Sequence, residues 1–191
     1  MNGEINMREI ECKFQIQDKK ELLNRLKEKG CSLEKEITQK DTIFVQDIKD
    51  TESKPNSIWL RVRKTNNTIE LNYKKQSKKK SESKEIEFQV NDYDKAIEFL
   101  IALGFQKWVE VQKKRITTTY QNFNICIDEV ERLGAFVEIE ILASENDSID
   151  YEPIIMSVAK ELQIDTKKRI NSHYDTMIAE VMECIDILEK L

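Results

Sequence analysis

The sequence predicts an α+β fold in which a sheet closes on itself around a polar lumen and helices cover its apolar outside. Two observations predict it. The first is a two-residue alternation of charged with apolar side chains, the period of a strand. It opens in Arg8-Glu9-Ile10-Glu11-Cys12-Lys13-Phe14, where Glu9, Glu11 and Lys13 share one face and Ile10, Cys12 and Phe14 the other. It recurs around Arg61 and Arg63, along Glu70, Asn72 and Lys74, and at Glu85 and Glu87. It returns along Lys113, Arg115, Thr117 and Thr119, along Asn124, Cys126 and Asp128, and at Glu138 and Glu140. One charged strand face is solvated surface, but seven faces carrying both signs fit a closed sheet with a polar interior. The second observation is that helical apolar spacing, with end signals, falls between these strands.

The elements follow in order. Residues 1–6 read as a loose leader, and strand one spans about 8–16. Asp18 caps a helix with Glu21 in the capping-box position, Leu22, Leu23 and Leu26 on its apolar side and Gly30 at its close. Residues 33–46 read as extended, and the polar stretch 47–56, with Pro55, as a loop. Strands at 57–64 and 68–75 hinge on Asn66-Asn67. Residues 75–84 are rich in lysine and serine; a solvated, disordered hairpin loop is favoured over a basic flap above an anionic ligand. A strand at 85–90 precedes a helix capped by Asn91 or Asp92 that carries Ala96, Ile97, Leu100, Ile101 and Leu103 and stops at Gly104. Residues 105–121 make one long strand or a bent pair, and 123–130 with 134–143 a hairpin about residues 131–134. Ser148 starts a helix that buries Ile154, Ile155, Val158, Ala159 and Leu162, and Ser172 caps a last one whose Ile178, Val181, Ile185 and Leu188 face the core.

Composition narrows the function. The 191 residues suit one domain with a substantial core, here residues 7–191. A net charge of -5 disfavours nucleic acid as a general partner. Cys12, Cys31, Cys126 and Cys184 form no CxxC pair and fit free thiols in a reducing cytosol. No signal pattern or membrane-length apolar run is present, so a cytoplasmic protein is expected. The single histidine, His173, reads as a helix-start residue, and any His-based nucleophile mechanism would have to pass through it. Four glycines allow neither a P-loop nor a dinucleotide fingerprint, so phosphates would have to be held by charged side chains and metal.

These residues resemble a known family. Glu9-Ile10-Glu11-Cys12-Lys13 is similar to the ExExK signature that opens the CYTH domain, of the triphosphate tunnel metalloenzymes. The resemblance continues through Arg61-Val62-Arg63, Lys74, Glu85-Ile86-Glu87, Lys113 and Arg115, and ends in Asp128-Glu129-Val130-Glu131-Arg132-Leu133-Gly134-Ala135-Phe136-Val137-Glu138-Ile139-Glu140. One ExExK match says little; the set, in order over about residues 7–141, is specific. The resemblance implies a closed eight-stranded antiparallel β-barrel, a tunnel. It also implies a class IV adenylate cyclase or a thiamine triphosphatase or inorganic triphosphatase. A homodimer is compatible with it.

The residue types agree with that chemistry. A triphosphate needs several fixed cations, and Lys13, Arg61, Arg63, Lys74, Lys113 and Arg115 supply them as substrate-binding groups. Lys13, Lys74 and Arg115 are the catalytic candidates among them. Glu9, Glu11, Asp128, Glu138 and Glu140 are the candidate ligands of Mg²⁺ or Mn²⁺, which prefers oxygen donors. Glu85 and Glu87 would bind metal or orient lysines. A plainer reading makes all these charges lumen salt bridges, but buried ion pairs contribute little net stability. The leading expectation is ATP to cyclic AMP and pyrophosphate; the alternative is hydrolysis of thiamine triphosphate or inorganic triphosphate. A pure anion-binding module would gain nothing from the carboxylates, and RNA would want an aromatic strip for stacking bases.

Overall fold

The computed structural model describes residues 7–49, 57–76, 82–144 and 147–188. The leader 1–6, most of the loop 47–56 and the middle of the lysine-rich run, 77–81, lie outside the described residues. The chain runs β1 (Met7–Ile16), α1 (Lys19–Glu28), β2 (Ile37–Val45), β3 (Ile58–Thr65), β4 (Thr68–Gln76) and β5 (Glu82–Val90). It continues with α2 (Tyr93–Ala102), β6 (Gln106–Tyr120), β7 (Phe123–Val130), β8 (Gly134–Ser144), α3 (Glu152–Glu161), β9 (Arg169–Ile170) and α4 (Tyr174–Leu188). The α+β expectation holds: all the pairings are antiparallel, in the order β5-β4-β3-β2-β6-β7-β8-β1-β9.

Closure is partial. β1 runs beside β8 over ten residue pairs. Among the described residues it meets β5, near the other end of the order, over two pairs, Glu9 with Ser83 and Ile10 with Glu82. The sheet therefore curls until β5 meets β1, and among the described residues it does not form the full ladder of the closed eight-stranded barrel expected above.

Local chemistry explains most boundaries. Asp18 caps α1 by accepting from the Glu21 amide at 3.0 Å, and Gly30 (φ +82°) lets the chain leave. Asp92 caps α2 through the amides of Asp94 and Lys95. Asn66 (φ +51°) makes the tight β3–β4 turn, with Thr65 opposite Thr68. Arg132 (φ +70°) and Gly134 (φ +100°) shape the β7–β8 turn. Residues 106–120 are one strand, not a bent pair.

Two helix starts differ from expectation. α3 begins at Glu152, not Ser148, with no side-chain cap; Pro153 sits in the first turn, where its missing N–H costs nothing. Ile154 is consequently turned out, 41% exposed. α4 begins at Tyr174, two residues past Ser172. α2 buries Ala96 and Leu100, while Ile101 and Leu103 stay exposed.

The outer face of the sheet carries two apolar layers. Ile10, Cys12 and Phe14 of β1, with Ile125, Ile127 and Ile139, pack against Leu22 and Leu26 of α1 and Ile155 and Val158 of α3. Phe44, Leu60 and Val62 pack against Ala96 and Leu100 of α2. The expectation that every helix lies outside needs one correction. Ile43, Trp59, Val109, Val111 and Phe136 share strand faces with the charged residues, and Tyr174 and Ile178 of α4 pack on them. One end of the charged face is thus apolar, and α4 covers it. No helix among the described residues is long and apolar enough to cross a membrane.

Candidate active site

The charged faces of the strands converge on one cavity of about 170 Å³. Of the residues singled out above, Asp128 and Glu87 do not line it; the other eleven do. Asp128 is fully buried beneath the wall. Glu87 lies at the rim, its carboxylate 3.2 Å from the Asn72 amide.

Register decides which charges meet. Across β1 and β8, Lys13 stands directly opposite Glu138, and Glu11 directly opposite Glu140. The first pair attracts: Lys13 Nζ lies 3.2 Å from Glu138 Oε1. The second pair repels. Glu9, Glu11 and Glu140 each bring a carboxylate oxygen within 4.8 Å of the others. Asn124 steadies the group by donating to Glu140 Oε2 at 2.8 Å.

The cations are held to different degrees. Arg115 grips Asp128 through Nε at 2.7 Å and Nη2 at 2.5 Å, and also reaches Glu138. Lys113 donates to Asp128 at 3.3 Å. Arg63 grips Asp41 through Nε and Nη2, both at 2.7 Å. Lys74 lies 2.8 Å from Glu85, which also accepts from Asn72 at 3.1 Å. Lys13 donates to the Ser172 carbonyl at 3.2 Å and sits 4.0 Å from the centroid of the Tyr174 ring.

Protonation follows this sorting. Burial, then the carboxylates of Glu140 and Glu85, push Glu9 up to about 8. Burial and Glu138 push Glu140 up to about 7. Glu138 goes the other way: burial opposes ionisation, but Lys13 and Arg115 hold it well below the usual carboxylate range. Burial likewise opposes the ionised Glu85, yet Lys74 and Arg61 bring it down to about 2. Burial and Arg115 lower Lys113 to about 8. Three mutually repelling, oxygen-only donors fit a hard dication such as Mg²⁺ or Mn²⁺.

Several lining residues escaped the sequence reading. Asp41 is the only acid on the inward face of β2 and is followed there by Ile43 and Val45, so it carried no alternation of charges. Trp59, Tyr174 and Asp175 also line the cavity, as does His173, whose ring centroid is 6.3 Å from that of Trp59. His173 does stand at a helix start, as expected, but on the cavity wall.

The inner face of the curled antiparallel sheet gathers six cations beside an acidic trio, groups chemically suited to a polyanion and to a hard dication. Residues 7–174 match the CYTH domain, and the chain belongs to that family. It is 30% identical over 176 residues to the Methanocaldococcus jannaschii protein named "Putative adenylate cyclase MJ0240", covering 88% of this chain and 97% of that one. The fold is similar to that of the PH1012 protein of Pyrococcus horikoshii, with a TM-score of 0.75 and 27% identity over 88% of this chain and 98% of the other. It is similar also to HpAC1 of Hippeastrum, described as a putative adenylyl cyclase with a dominant triphosphatase activity, with a TM-score of 0.58 and 14% identity over 92% of this chain and 95% of that one.

Proposed function

We propose that the chain is a cytosolic, metal-dependent enzyme that draws a triphosphate into a tunnel formed by its curled sheet and converts ATP to cyclic AMP and pyrophosphate. The observation that carries the reading is the split on β1 and β8: Glu11 against Glu140 repels while Lys13 against Glu138 attracts, two residues apart. A wall that only bound anions would not keep three carboxylates within 4.8 Å of one another beside its cations. The M. jannaschii relative's name supports the cyclase reaction, since the likeness covers 97% of that protein.

In this reading Glu9, Glu11 and Glu140 hold Mg²⁺ or Mn²⁺, with Glu138 and Asp128 behind them. The bound metal supplies charge stabilisation at the attacked phosphorus. Arg61, Lys74 and Lys113 hold the β- and γ-phosphates, and Glu85 and Glu87 orient Lys74 and Arg61. Lys13 and Arg115, fixed by Glu138 and Asp128, present charge where it develops. The ribose 3′-hydroxyl gives up its proton to solvent as its oxygen attacks the α-phosphorus, the bond to the β-phosphate oxygen breaks, and pyrophosphate leaves.

The second reading is a triphosphatase acting on thiamine triphosphate or inorganic triphosphate. The same cations fit a triphosphate moved along by one phosphate, with water in line with the terminal phosphorus. The Hippeastrum protein, described as having a dominant triphosphatase activity, supports it on this fold. The test is to incubate the protein with ATP, thiamine triphosphate and inorganic triphosphate, each with Mg²⁺ or Mn²⁺, and resolve the products. Cyclic AMP with pyrophosphate is expected. ADP with orthophosphate, or turnover of the other two alone, removes the cyclase; no turnover of any removes the enzyme.

A further inference from the structure

Asn124 is the first residue of β7 on its inner face, ahead of Cys126 and Asp128. It stands directly opposite Glu140 in the β7–β8 ladder, and Glu140 stands directly opposite Glu11 in the β1–β8 ladder. The Asn124 amide donates to Glu140 Oε2 at 2.8 Å, and the Cys126 thiol donates to the same oxygen at 3.7 Å. Both donors are neutral, so this carboxylate is fixed in place without being neutralised. Glu138, the next acid on that face of β8, is engaged instead by two cations, Lys13 at Oε1 and Arg115 at Oε2. Among the described residues Glu140 is the one member of the acidic trio whose carboxylate accepts a hydrogen bond.

We propose that Asn124 is a positioning residue that sets which cation the acidic trio accepts: it ties up one oxygen of Glu140, presents that carboxylate through its other oxygen alone, and so biases the site toward Mg²⁺ and against Ca²⁺. The inference rests on the metal-dependent reading above. A carboxylate oxygen has about two lone-pair sites, and on Glu140 Oε2 the amide and the thiol take both. A cation at that oxygen would meet the hydrogens of two donors. Glu140 is buried, which leaves its carboxylate little room to turn over and exchange the two oxygens. Mg²⁺ is small, keeps strict octahedral geometry and is satisfied by one-point carboxylates. Ca²⁺ takes more ligands in looser geometry and gains from a carboxylate that offers both oxygens. A partner that holds a ligand from behind therefore acts on the choice of cation as well as on its affinity.

The test is calorimetric titration of Mg²⁺ and, separately, of Ca²⁺ into the full chain with no triphosphate present. Asn124→Leu removes the donor and keeps a side chain of similar size. Mg²⁺ should bind that variant about tenfold more weakly, the scale of losing a partner of a metal ligand. Ca²⁺ should bind it at least as well as before, because the second oxygen of Glu140 regains a free lone pair. The ratio of Mg²⁺ to Ca²⁺ affinity should therefore fall by about tenfold or more. Cys126→Ala, which removes the weaker donor from the same oxygen, should lower the ratio in the same direction and by less. A residue that only props up the fold would weaken both cations together and leave the ratio where it was, and that result overturns the proposal. So does a ratio that rises. If Asn124→Leu does not fold, Cys126→Ala decides: a lowered ratio supports the proposal and an unchanged one overturns it. A Glu140→Gln variant that binds Mg²⁺ as tightly as the unaltered chain, or an unaltered chain that binds neither cation, defeats the metal reading first, and this inference with it.

Discussion

Glu11 stands directly opposite Glu140 across the β1–β8 ladder. Like charges so placed cost roughly 0.2–1 kcal/mol in a sheet. Glu9 adds a third carboxylate, within 4.8 Å. A strand pair keeps such an arrangement when something cationic relieves it. Mg²⁺ or Mn²⁺ is therefore expected to raise the melting temperature of the chain. Glu11→Gln should raise the metal-free melting temperature slightly and lose most of the metal-dependent rise. Thermal melts in chelator and in excess metal measure both. An equal metal response in the variant would place the metal elsewhere.

Glu9 and Glu138 are both acids of this face, but they do different work. Glu138 is 5% exposed and neutralises Lys13 and Arg115. Removing it leaves buried cations uncompensated, which costs about 3–5 kcal/mol. Glu9 is held against ionisation by burial and by the carboxylates of Glu140 and Glu85, so removing it leaves no charge uncompensated. Both Glu9→Ala and Glu138→Ala should abolish turnover, but urea unfolding should show a large loss of stability in Glu138→Ala alone. If Glu9→Ala unfolds as readily, the acids serve the fold and the metal reading weakens.

Much of this was legible in the sequence, and the reasons are local. Arg61-Val62-Arg63 declares its two faces by period alone. Asp18, Glu21 and Gly30 declare a helix by the chemistry of its ends. What stayed hidden depends on register. Asp41 matters because it falls opposite Arg63, and no spacing within β2 says so. The apolar stripe of α4 says which side of the helix is buried, not which side of the sheet receives it. Tyr174, at the start of that helix, lines the cavity, and nothing in the spacing of the sequence marks it. β9, two residues long, is too short to show any period.

Tyr174 ties α4 to the cavity. Its ring lies 4.0 Å from Lys13 Nζ and 5.0 Å from Lys113 Nζ, measured to the centroid, and packs edge-on to Phe136 at 5.2 Å. Tyr174→Ala should cost about 3–5 kcal/mol from lost burial, with the two cation–π contacts adding to it. Tyr174→Phe keeps the ring and should cost under about 1 kcal/mol. Denaturant midpoints compare the two. Equal losses would mean that the ring is not what anchors the helix.

The acids also set how stability depends on pH. In the metal-free fold Glu9 titrates at about 8 and Glu140 at about 7, both raised from 4.5 by burial and neighbouring carboxylates. The folded chain thus holds two protons that the unfolded chain releases. Their contribution is full below about 4.5 and is lost as pH rises through about 7 and then about 8. Glu85 acts oppositely. It is brought down to about 2 by Lys74 and Arg61 against the effect of burial, so its contribution is present above 4.5 and lost as pH falls toward 2. The metal-free chain should be more stable at about pH 5.5 than at about pH 8.5. Glu9→Gln should flatten that decline, because a neutral amide has no proton to lose. Mg²⁺ should flatten it in the unaltered chain, since a dication takes the place of the protons on the same oxygens. Urea unfolding at the two pH values, with and without metal, measures all three slopes. A Glu9→Gln variant whose metal-free stability falls toward about pH 8.5 as steeply as that of the unaltered chain would show that Glu9 does not hold the proton in the fold.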